Sequence, residues 1–411
     1  MTAPETVTQG DASDAAGGAR PIARLGAPAT GGLSLPLAHP TAAHLYAPRG
    51  VWLDDDRLIA TDSGNHRVMI FDGVPTADET PADVILGQPD STSEGPAAGG
   101  RGPANGLHLP TGVIVHDGAL YVADAWHHRI LVWSSVPSRS DTSPDAVIGQ
   151  DGLTATQPNR GGEPAMNTLY WPYGLGIAAG HLWVTDTGNR RVLGWALSEG
   201  GPVGRSPDVL LGQPDAMSRE ENRGTEAAAD SFRWPHDVAG PDDRLFIADA
   251  GNHRVGIWDP PPTADRGADG VLGQPDLTSS TEWPYGPHSA SIHRFPYAVS
   301  QSGDRLAVAD TANNRVLIWD ELPTAAGGPA QRVLAQPDFA SNGENRWDAV
   351  ADDTLCWPYG LSLHGSLLAV ADSGNNRVML WELDAAADDR SPADDAATAD
   401  TLMASTRTVT P

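Results

Sequence analysis

The stretch Ala60-Thr-Asp-Ser-Gly-Asn-His-Arg-Val68 decides the fold, because the chain repeats it five more times in recognisable form. Each copy has an aspartate, a turn of four residues, an arginine and then a β-branched residue. A period this regular predicts one array of like modules, although 411 residues are enough for two or three ordinary domains. The aspartates lie 61 to 63 residues apart, at Asp62, Asp124, Asp186, Asp249, Asp310 and Asp372.

One repeat, residues 169–215, contains four short strand signals with turn residues between them. Gly188 and Asn189 tolerate positive φ, which predicts a tight hairpin between the second and third strands. No helical periodicity of any length is present. The candidate strands are the apolar run after Pro172 and residues 181–186, 191–195 and 208–215.

The same four-strand pattern recurs six times, with fixed marker residues. A proline opens the first strand at Pro48, Pro110, Pro172, Pro235, Pro296 and Pro358. An aromatic residue closes the third strand at Phe71, Trp133, Trp195, Trp258, Trp319 and Trp381. The fourth strand ends at Gly87-Gln88, Gly149-Gln150, Gly212-Gln213, Gly273-Gln274 and Ala335-Gln336.

A four-stranded module repeated six times predicts an all-β fold, a six-bladed β-propeller over residues 20–385. Each small sheet buries its faces against its neighbours, and the large aromatic residues fill the gaps between blades. No fourth-strand copy follows Trp381, whereas Arg24-Leu25-Gly26-Ala27-Pro28 resembles one. We therefore predict that residues near 22–27 complete the last blade and remove its edge. The alternative is a degenerate strand within 392–405.

Composition narrows the class of protein. The net charge is −27 and every basic residue is arginine, so a phosphate backbone is repelled and nucleic acid is not an expected partner. Cys356 is the single cysteine, which excludes an intrachain disulfide. The absence of a secretory apolar segment and of any run of about 18 apolar residues predicts a cytoplasmic protein without membrane insertion. Low hydrophobicity and acidic charge predict disorder in segments 1–19 and 386–411.

The phrase AspSerGlyAsnAsnArgVal, with Pro-x-Gly and an apolar strand before it, resembles the NHL repeat family. The likeness covers residues from about 22 to 383, and the LeuGlyGlnProAsp endings are similar to a bacterial subgroup with long repeats. The resemblance implies a six-bladed propeller that acts as a scaffold for macromolecular contacts. Some relatives bind RNA, the peptide-amidating lyases hold zinc and calcium, and bacterial relatives accompany redox enzymes such as hydrogenases. None of these properties transfers with the fold alone.

An arginine follows each repeated aspartate by five residues, across the predicted hairpin. The two side chains can then meet as a bidentate ion pair. Six equivalent copies favour a structural staple in each blade over six anion sites, because catalytic groups break symmetry. The predicted staples pair Asp62, Asp124, Asp186, Asp249, Asp310 and Asp372 with Arg67, Arg129, Arg191, Arg254, Arg315 and Arg377.

The residue after each opening proline is expected at the mouth of the central channel. This set is asymmetric, with one fixed cation, one imidazole and three phenols, which predicts a site for a small anionic or aromatic ligand. Trp171, Phe295 and Trp357 flank it and add stacking surface. The alternative is that the aromatic residues only plug the channel. The set comprises Arg49, Thr111, Tyr173, His236, Tyr297 and Tyr359.

Metal and catalytic motifs are missing from the sequence. No HisGluXXHis, GlyXSerXGly, Walker or dinucleotide fingerprint occurs, so the motifs give no positive support for an enzyme and predict no cofactor. A zinc site built from His236 with two of His108, His288 and His293 stays open as a hypothesis, as does a channel calcium on backbone carbonyls.

Connections of roughly 18 extra residues between blades are expected on the same face as the AspSerGlyAsn hairpins, where function usually resides. The connection Leu277–Arg294 contains GluTrpProTyrGly, so Trp283 and Tyr285 form either an exposed interaction patch or a cover over the channel. The leading hypothesis is a non-catalytic scaffold that binds a protein, as an accessory to a redox enzyme such as a hydrogenase. The alternatives are a metal-dependent lyase or lactonase, with His236 as acid–base or metal ligand and Arg49 as anion clamp, and a small-molecule binder at the channel mouth.

Overall fold

The computed structural model describes residues 18–27, 39–199 and 201–384. Strand β1 (Arg20–Gly26) opens the described chain. Blade 1 contains β2 (Gly50–Leu53), β3 (Arg57–Asp62), β4 (Arg67–Asp72) and β5 (Val84–Leu86). Blade 2 contains β6 (Pro110–His116), β7 (Ala119–Asp124), β8 (Arg129–Trp133) and β9 (Ala146–Ile148). Blade 3 contains β10 (Pro172–Ala178), β11 (His181–Asp186), β12 (Arg191–Ala196) and β13 (Val209–Leu211).

The second half of the ring repeats this order. Blade 4 contains β14 (Pro235–Ala239), β15 (Leu245–Asp249), β16 (Arg254–Trp258) and β17 (Gly270–Leu272). Blade 5 contains β18 (Pro296–Ser302), β19 (Arg305–Asp310), β20 (Arg315–Trp319) and β21 (Arg332–Leu334). Blade 6 contains β22 (Pro358–His364), β23 (Leu367–Asp372) and β24 (Arg377–Glu382), with β1 as its fourth strand.

The six antiparallel sheets form a closed ring, which confirms the predicted six-bladed β-propeller. The first strands contact one another in the cyclic order β2, β6, β10, β14, β18 and β22, and β22 returns to β2. They therefore surround a central channel. The aromatic residue that closes each third strand is buried between blades; Trp133, for example, packs with Ile59, Ile70 and Leu120. Burial of such large side chains supplies much of the core's hydrophobic stabilisation.

Helix is nearly absent from the described residues. A short turn, Pro96–Gly100, lies in the connection from blade 1 to blade 2, and Ala97, Ala98 and Gly99 within it have positive φ, so it is not a right-handed α-helix. One 3-10 turn follows each repeated aspartate, at Ser63–Asn65, Ala125–His127, Thr187–Asn189, Ala250–Asn252, Thr311–Asn313 and Ser373–Asn375. Further short turns span Pro158–Gly161, Leu197–Glu199, Glu221–Gly224 and Glu344–Trp347, and all of them except Leu197–Glu199 contain residues with positive φ.

The conformation of the repeated hairpin corrects the sequence prediction. Gly188 and Asn189 belong to the 3-10 turn, and the residue with positive φ is Arg190, at 54°. The glycine is required for another reason: a Cβ atom at Gly188 would lie 2.4 Å from the carbonyl oxygen of Tyr170. The connection therefore passes directly over the turn, and glycine permits the close approach.

Two faces of the ring follow from the strand directions. The turns after the aspartates and the connections between blades lie together on one face, which we call the collar face, as predicted. Arginine side chains join them; Arg67 donates to the carbonyl oxygens of Ser91, Thr41 and His44 in the flanking connections. The opposite face carries the turns between first and second strands and those between third and fourth strands.

Strand β1 pairs antiparallel with β24, from Arg20 opposite Glu382 to Gly26 opposite Arg377. Ala23 and Leu25 are buried against Val378 and Leu380. Blade 6 also contacts blade 1 on the collar face, where the Ser373 hydroxyl donates to the Pro48 carbonyl. The predicted disordered segments, except residues 18 and 19, and the alternative strand within 392–405 lie outside the described residues.

None of the helices in the described ranges is long and apolar enough to cross a membrane.

Candidate functional site

The central channel holds a cavity of about 430 Å³ that the first strands of all six blades line. It extends from the opening residues of these strands, such as Arg49 and Tyr359, to their last residues, such as Asp54 and His364. Ala47, Trp171 and other residues before the opening prolines have positive φ, which is uncommon for non-glycine residues and marks an enforced turn.

Five of the six predicted mouth residues form one contiguous cluster. The ring of His236 lies 4.5 Å from that of Tyr173 and stacks on that of Tyr297 at 4.3 Å. Tyr297 in turn lies 4.8 Å from Tyr359, and the Arg49 guanidinium lies 5.0 Å above the Tyr359 ring. The side chains therefore pack edge to edge and face to face at the collar end of the channel, with a cation–π contact at one end.

Thr111, the sixth predicted residue, does not line the cavity. Its side chain is buried, and its hydroxyl donates to the carbonyl oxygen of Tyr173 at 2.8 Å. This contact ties blade 2 to blade 3. The flanking residue Trp171 adds to the aromatic cluster, since its ring lies 6.0 Å from Tyr173 and 6.1 Å from His236.

Burial sets the protonation states in the cluster. It lowers the pKa of His236 to about 4, so the imidazole is neutral at pH 7. Its Nδ1 lies 2.9 Å from the Trp234 carbonyl oxygen, so Nδ1 carries the proton and donates it. Burial raises the pKa of Tyr297 to about 12 and also raises that of Tyr173. Arg49 keeps its proton, because the neighbouring phenols, Tyr173 above all, raise its pKa further.

Asp237 is the channel residue that the sequence analysis missed. It follows His236 on β14, lines the cavity and stands where the other blades have glycine or alanine. Its carboxylate accepts the backbone N–H groups of Val238 at 2.9 Å and Val299 at 3.1 Å. Burial raises the pKa of this carboxyl to about 7. The sequence does carry a signal for this residue. The second residue after the opening proline is Gly50, Gly112, Gly174, Ala298 or Gly360 in the other blades, and only blade 4 has an acidic residue there.

The junction between blades 3 and 4 is also exceptional. At other junctions the side chain of the positive-φ turn residue accepts the N–H of the residue before the next proline, as when His128 Nδ1 accepts Trp171 N–H at 3.1 Å. Asn314 and Asn376 do the same with their amide oxygens. The Arg190 guanidinium has only hydrogen-bond donors and cannot accept this N–H. The Trp234 N–H donates to Asp249 Oδ1 at 3.2 Å instead. Symmetry therefore fails at the blade that carries His236 and Asp237.

The six Asp–Arg pairs form the same hydrogen-bond network in every blade. Each arginine makes one hydrogen bond to its aspartate, so the predicted bidentate geometry is wrong. In blade 3, Arg191 Nε donates to Asp186 Oδ2 at 2.8 Å, and its two terminal nitrogens donate to carbonyl oxygens of the connections. The same Oδ2 accepts Asn189 at 2.7 Å, and Oδ1 accepts the Tyr170 N–H at 2.7 Å. Both charged side chains are fully buried. The other contacts from Nε to Oδ2 measure 2.7 to 3.1 Å in blades 1, 2, 4, 5 and 6.

Exposed aromatic side chains lie on the collar face. Tyr285 is 98 % exposed and Trp283 is 36 % exposed, so the connection Leu277–Arg294 presents these rings to solvent. Trp347 is 79 % exposed in the connection from blade 5 to blade 6. In the part of the chain that the structure describes, the exposed tyrosines and tryptophans are Tyr46, Trp126, Tyr170, Trp283, Tyr285, Trp347 and Trp357.

Comparison with known families identifies the repeat. Residues 232–258, which include the first three strands of blade 4, match the NHL repeat. Blade 4 matches the NHL repeat. The other five blades share its strand order, its Asp–Arg pair and its 3-10 turn, so the propeller fits NHL-type repeats.

Solved structures similar to this NHL-type propeller include a streptogramin B lyase. It is 13 % identical, with 86 % of this chain and 97 % of that chain covered and a TM-score of 0.43. The WD40 propeller domain of Doa1 is 10 % identical over 89 % of this chain and 97 % of that chain, with a TM-score of 0.46. A Bacteroides thetaiotaomicron protein of unknown function is 11 % identical over 89 % and 75 %, with a TM-score of 0.45. No curated protein matches the sequence.

The histidines proposed as zinc ligands lie at different places in the NHL blades. His108 lies between His66 and His127, with ring centroids 5.1 and 5.4 Å away. His293 is buried against Trp319, and His288 Nε2 lies 2.8 Å from Asn342. Within residues 18–27, 39–199 and 201–384, no group of three His, Cys, Asp or Glu side chains is placed to hold a metal ion.

Replacement of Asp237 by asparagine is expected to change how stability depends on pH. The folded carboxyl titrates near pH 7 and the unfolded one near 3.8, so the folded state binds more protons between these values. The stability of the native protein therefore falls as pH rises from about 4 to 7, and Asp237→Asn removes this loss. Arg49, His236, Tyr173 and Tyr297 are the titratable groups of the surrounding strands, and both proteins retain them.

We expect Asp237→Asn to gain about 2–3 kcal/mol relative to the native protein between pH 5 and pH 8. Urea unfolding at the two pH values measures this difference. Asp304→Asn, on an exposed turn of the opposite face, is the matched control and should show no comparable gain. An equal response of the two variants would show that Asp237 is not the titrating group.

Proposed function

We propose that this propeller is a non-catalytic scaffold that binds a protein partner through its collar face. The observation that carries the proposal is the one-sided distribution of exposed aromatic side chains. Seven tyrosines and tryptophans with substantial exposure lie on the collar face, and in the described residues the opposite face has Val203 as its exposed large apolar residue. Tyrosine and tryptophan are enriched among the residues that contribute most to protein interfaces.

The construction of the collar face supports this role. The connections are held by buried arginines, as when Arg315 donates to the carbonyl oxygens of Phe339, Ser289 and Ile292. Loops that are already ordered lose little conformational entropy on binding, so more of the contact energy appears as affinity. NHL propellers commonly mediate protein interaction, which is consistent with this arrangement.

The nature of the partner follows from charge and from the family resemblance. Arg233 lies 5.0 Å from the Trp234 ring on the collar face, so this strongly acidic protein has an arginine–aromatic pair near the exposed rings. Such pairs suit a partner with carboxylate and apolar groups. A redox enzyme such as a hydrogenase is the partner class to test first.

The proposal predicts that collar variants lose a partner that an opposite-face variant keeps. The purified chain is immobilised and incubated with lysate of its source cells, and the partner is identified by mass spectrometry. We expect Tyr285→Ser combined with Trp347→Ser to reduce recovery of that partner by at least about tenfold. Val203→Ser is the matched control, because Val203 is 46 % exposed on the opposite face. The absence of a stable partner, or equal loss in both variants, would refute the proposal.

A further inference from the structure

The central channel contains a guanidinium and a carboxyl group that do not pair with each other. Arg49 immediately precedes the first strand of blade 1, and Asp237 lies on the first strand of blade 4. Blades 1 and 4 are three positions apart in a ring of six, so the two residues occupy opposite walls of the cavity. In the described part of the chain neither side chain has an ion-pair partner.

Unpaired charges inside a cavity lose hydration and need compensation. Many arginines of this protein pair with carboxylates, as Arg223 does with Asp230 and Asp265. In the channel, by contrast, neither Arg49 nor Asp237 has such a partner. A ligand with a positive and a negative group would compensate both residues together.

A third group of the cavity also has an unused hydrogen-bonding capacity. Tyr173 is 3 % exposed, and its hydroxyl makes no hydrogen bond of normal geometry among the described residues, although the Arg49 guanidinium lies beside it. Its phenol exerts the strongest influence on the pKa of Arg49, so the two side chains lie near each other. An unsatisfied buried hydroxyl costs roughly 1–3 kcal/mol, which a ligand oxygen between Tyr173 and Arg49 would recover.

The entrance on the opposite face favours a positive end. The turns between first and second strands surround that entrance, and six exposed aspartates lie in them. The arginine of these turns, Arg244, is paired with Asp259 and leaves them acidic. Such a rim raises the local concentration of cations. The exposed rim residues are Asp55, Asp56, Asp117, Asp242, Asp243 and Asp304.

The order of the charges along the channel agrees with the rim. Arg49 and His236 occupy equivalent positions at the collar end of the channel. Asp237 follows His236 and therefore lies one residue nearer the acidic rim. A ligand that enters from the opposite face would thus place its negative end deeper and its positive end nearer the rim. The cavity of about 430 Å³ accommodates a small molecule of this kind.

We propose that the channel binds a small zwitterion, with its ammonium group on Asp237 and its carboxylate between Arg49 and the Tyr173 hydroxyl. The chemical class is an amino acid or a similar molecule with separated ammonium and carboxylate groups. This site is independent of protein binding at the collar face. Its functions would be to sense or carry the ligand, since the proposal includes no covalent step.

Calorimetric titration of the purified chain at pH 8 tests the proposal, because Asp237 is mostly ionised there. The probes are β-alanine, 4-aminobutanoate and 6-aminohexanoate, which span increasing distances between the charges. Butylamine and butanoate serve as matched ligands with one charge each. We expect at least one zwitterion to bind, and both single-charge ligands to bind at least about tenfold more weakly.

Variants of the channel identify the contacts. Asp237→Asn, Arg49→Gln and Tyr173→Phe should each weaken binding of the best zwitterion by about tenfold or more. Asp151→Asn, at an exposed ion pair outside the channel, is the matched control and should bind the zwitterion as the native chain does. Failure of all three zwitterions to bind at roughly 10 mM, or equal affinity for butylamine, would overturn the proposal without any variant. Loss of the protein partner alone would leave it intact.

Discussion

Deletion of residues 1–26 should lower the melting temperature by on the order of 10 °C or more. The deletion removes β1, which pairs with β24 along its length and buries Leu25 completely. It also removes Arg24, which forms ion pairs with Asp78 of blade 1 and Asp352 in the connection to blade 6. Burial of one large aliphatic side chain contributes roughly 1.5–3 kcal/mol, and β24 would become an exposed edge.

Two further deletions make this test specific to β1. Removal of residues 1–17 keeps β1 and should leave the melting temperature unchanged. Removal of residues 386–411 tests the alternative fourth strand within 392–405. Differential scanning calorimetry of the three proteins distinguishes the cases. A stable protein after the first deletion, or a destabilised one after the third, would contradict closure by β1.

The second large effect is expected at a buried Asp–Arg pair. Replacement of Asp186 by alanine leaves the Arg191 guanidinium buried without its counter-charge, and it also removes the acceptor for Asn189 and for the Tyr170 N–H. Breaking a buried pair on one side costs about 3–5 kcal/mol. We therefore expect Asp186→Ala to reduce the free energy of unfolding by that amount, as measured in urea.

An exposed ion pair provides the matched control. Asp151 pairs with Arg160 at 2.8 Å, and its side chain is 73 % exposed. Loss of such a surface pair costs about 1 kcal/mol or less. If Asp151→Ala destabilises the protein as much as Asp186→Ala does, the repeated pairs are not structural staples. If the arginines were anion sites, phosphate would raise the melting temperature of the native chain. It would not raise that of the Arg191→Gln variant.

The regular features of the fold could be predicted from the sequence because six copies repeat the same physical requirement. Each proline begins a channel strand, and each buried tryptophan, such as Trp258, closes a third strand. The fourth strand of blade 6 could be assigned to the segment around Leu25, because this segment contains part of the motif that ends the other fourth strands. The prediction of positive φ at Gly188 was wrong. A glycine in a turn can be required either for positive φ or because another backbone passes close to it, and the sequence does not distinguish the two; here Tyr170 passes close to Gly188.

The candidate site was less predictable, because it depends on contacts between blades. The stacking of His236 on Tyr297 needs the rotation of one blade against the next, which the sequence does not encode in any local pattern. The side-chain hydroxyl of Thr111 could point to the channel or to blade 3, and only packing decides. Asp237 could have been found by comparing all six copies at the position after the mouth residue, where it replaces glycine.

The pairing of β1 with β24 has a consequence for biosynthesis. The ribosome releases β1 before any complete blade, yet its hydrogen-bonding partner emerges after five other blades have been translated. Blades 1 to 5 can therefore assemble locally during translation, whereas blade 6 must wait for a contact between distant parts of the chain, which is slow to form. We expect nascent chains that stall before β24 to engage chaperones through the unpaired β1 and the open side of blade 1.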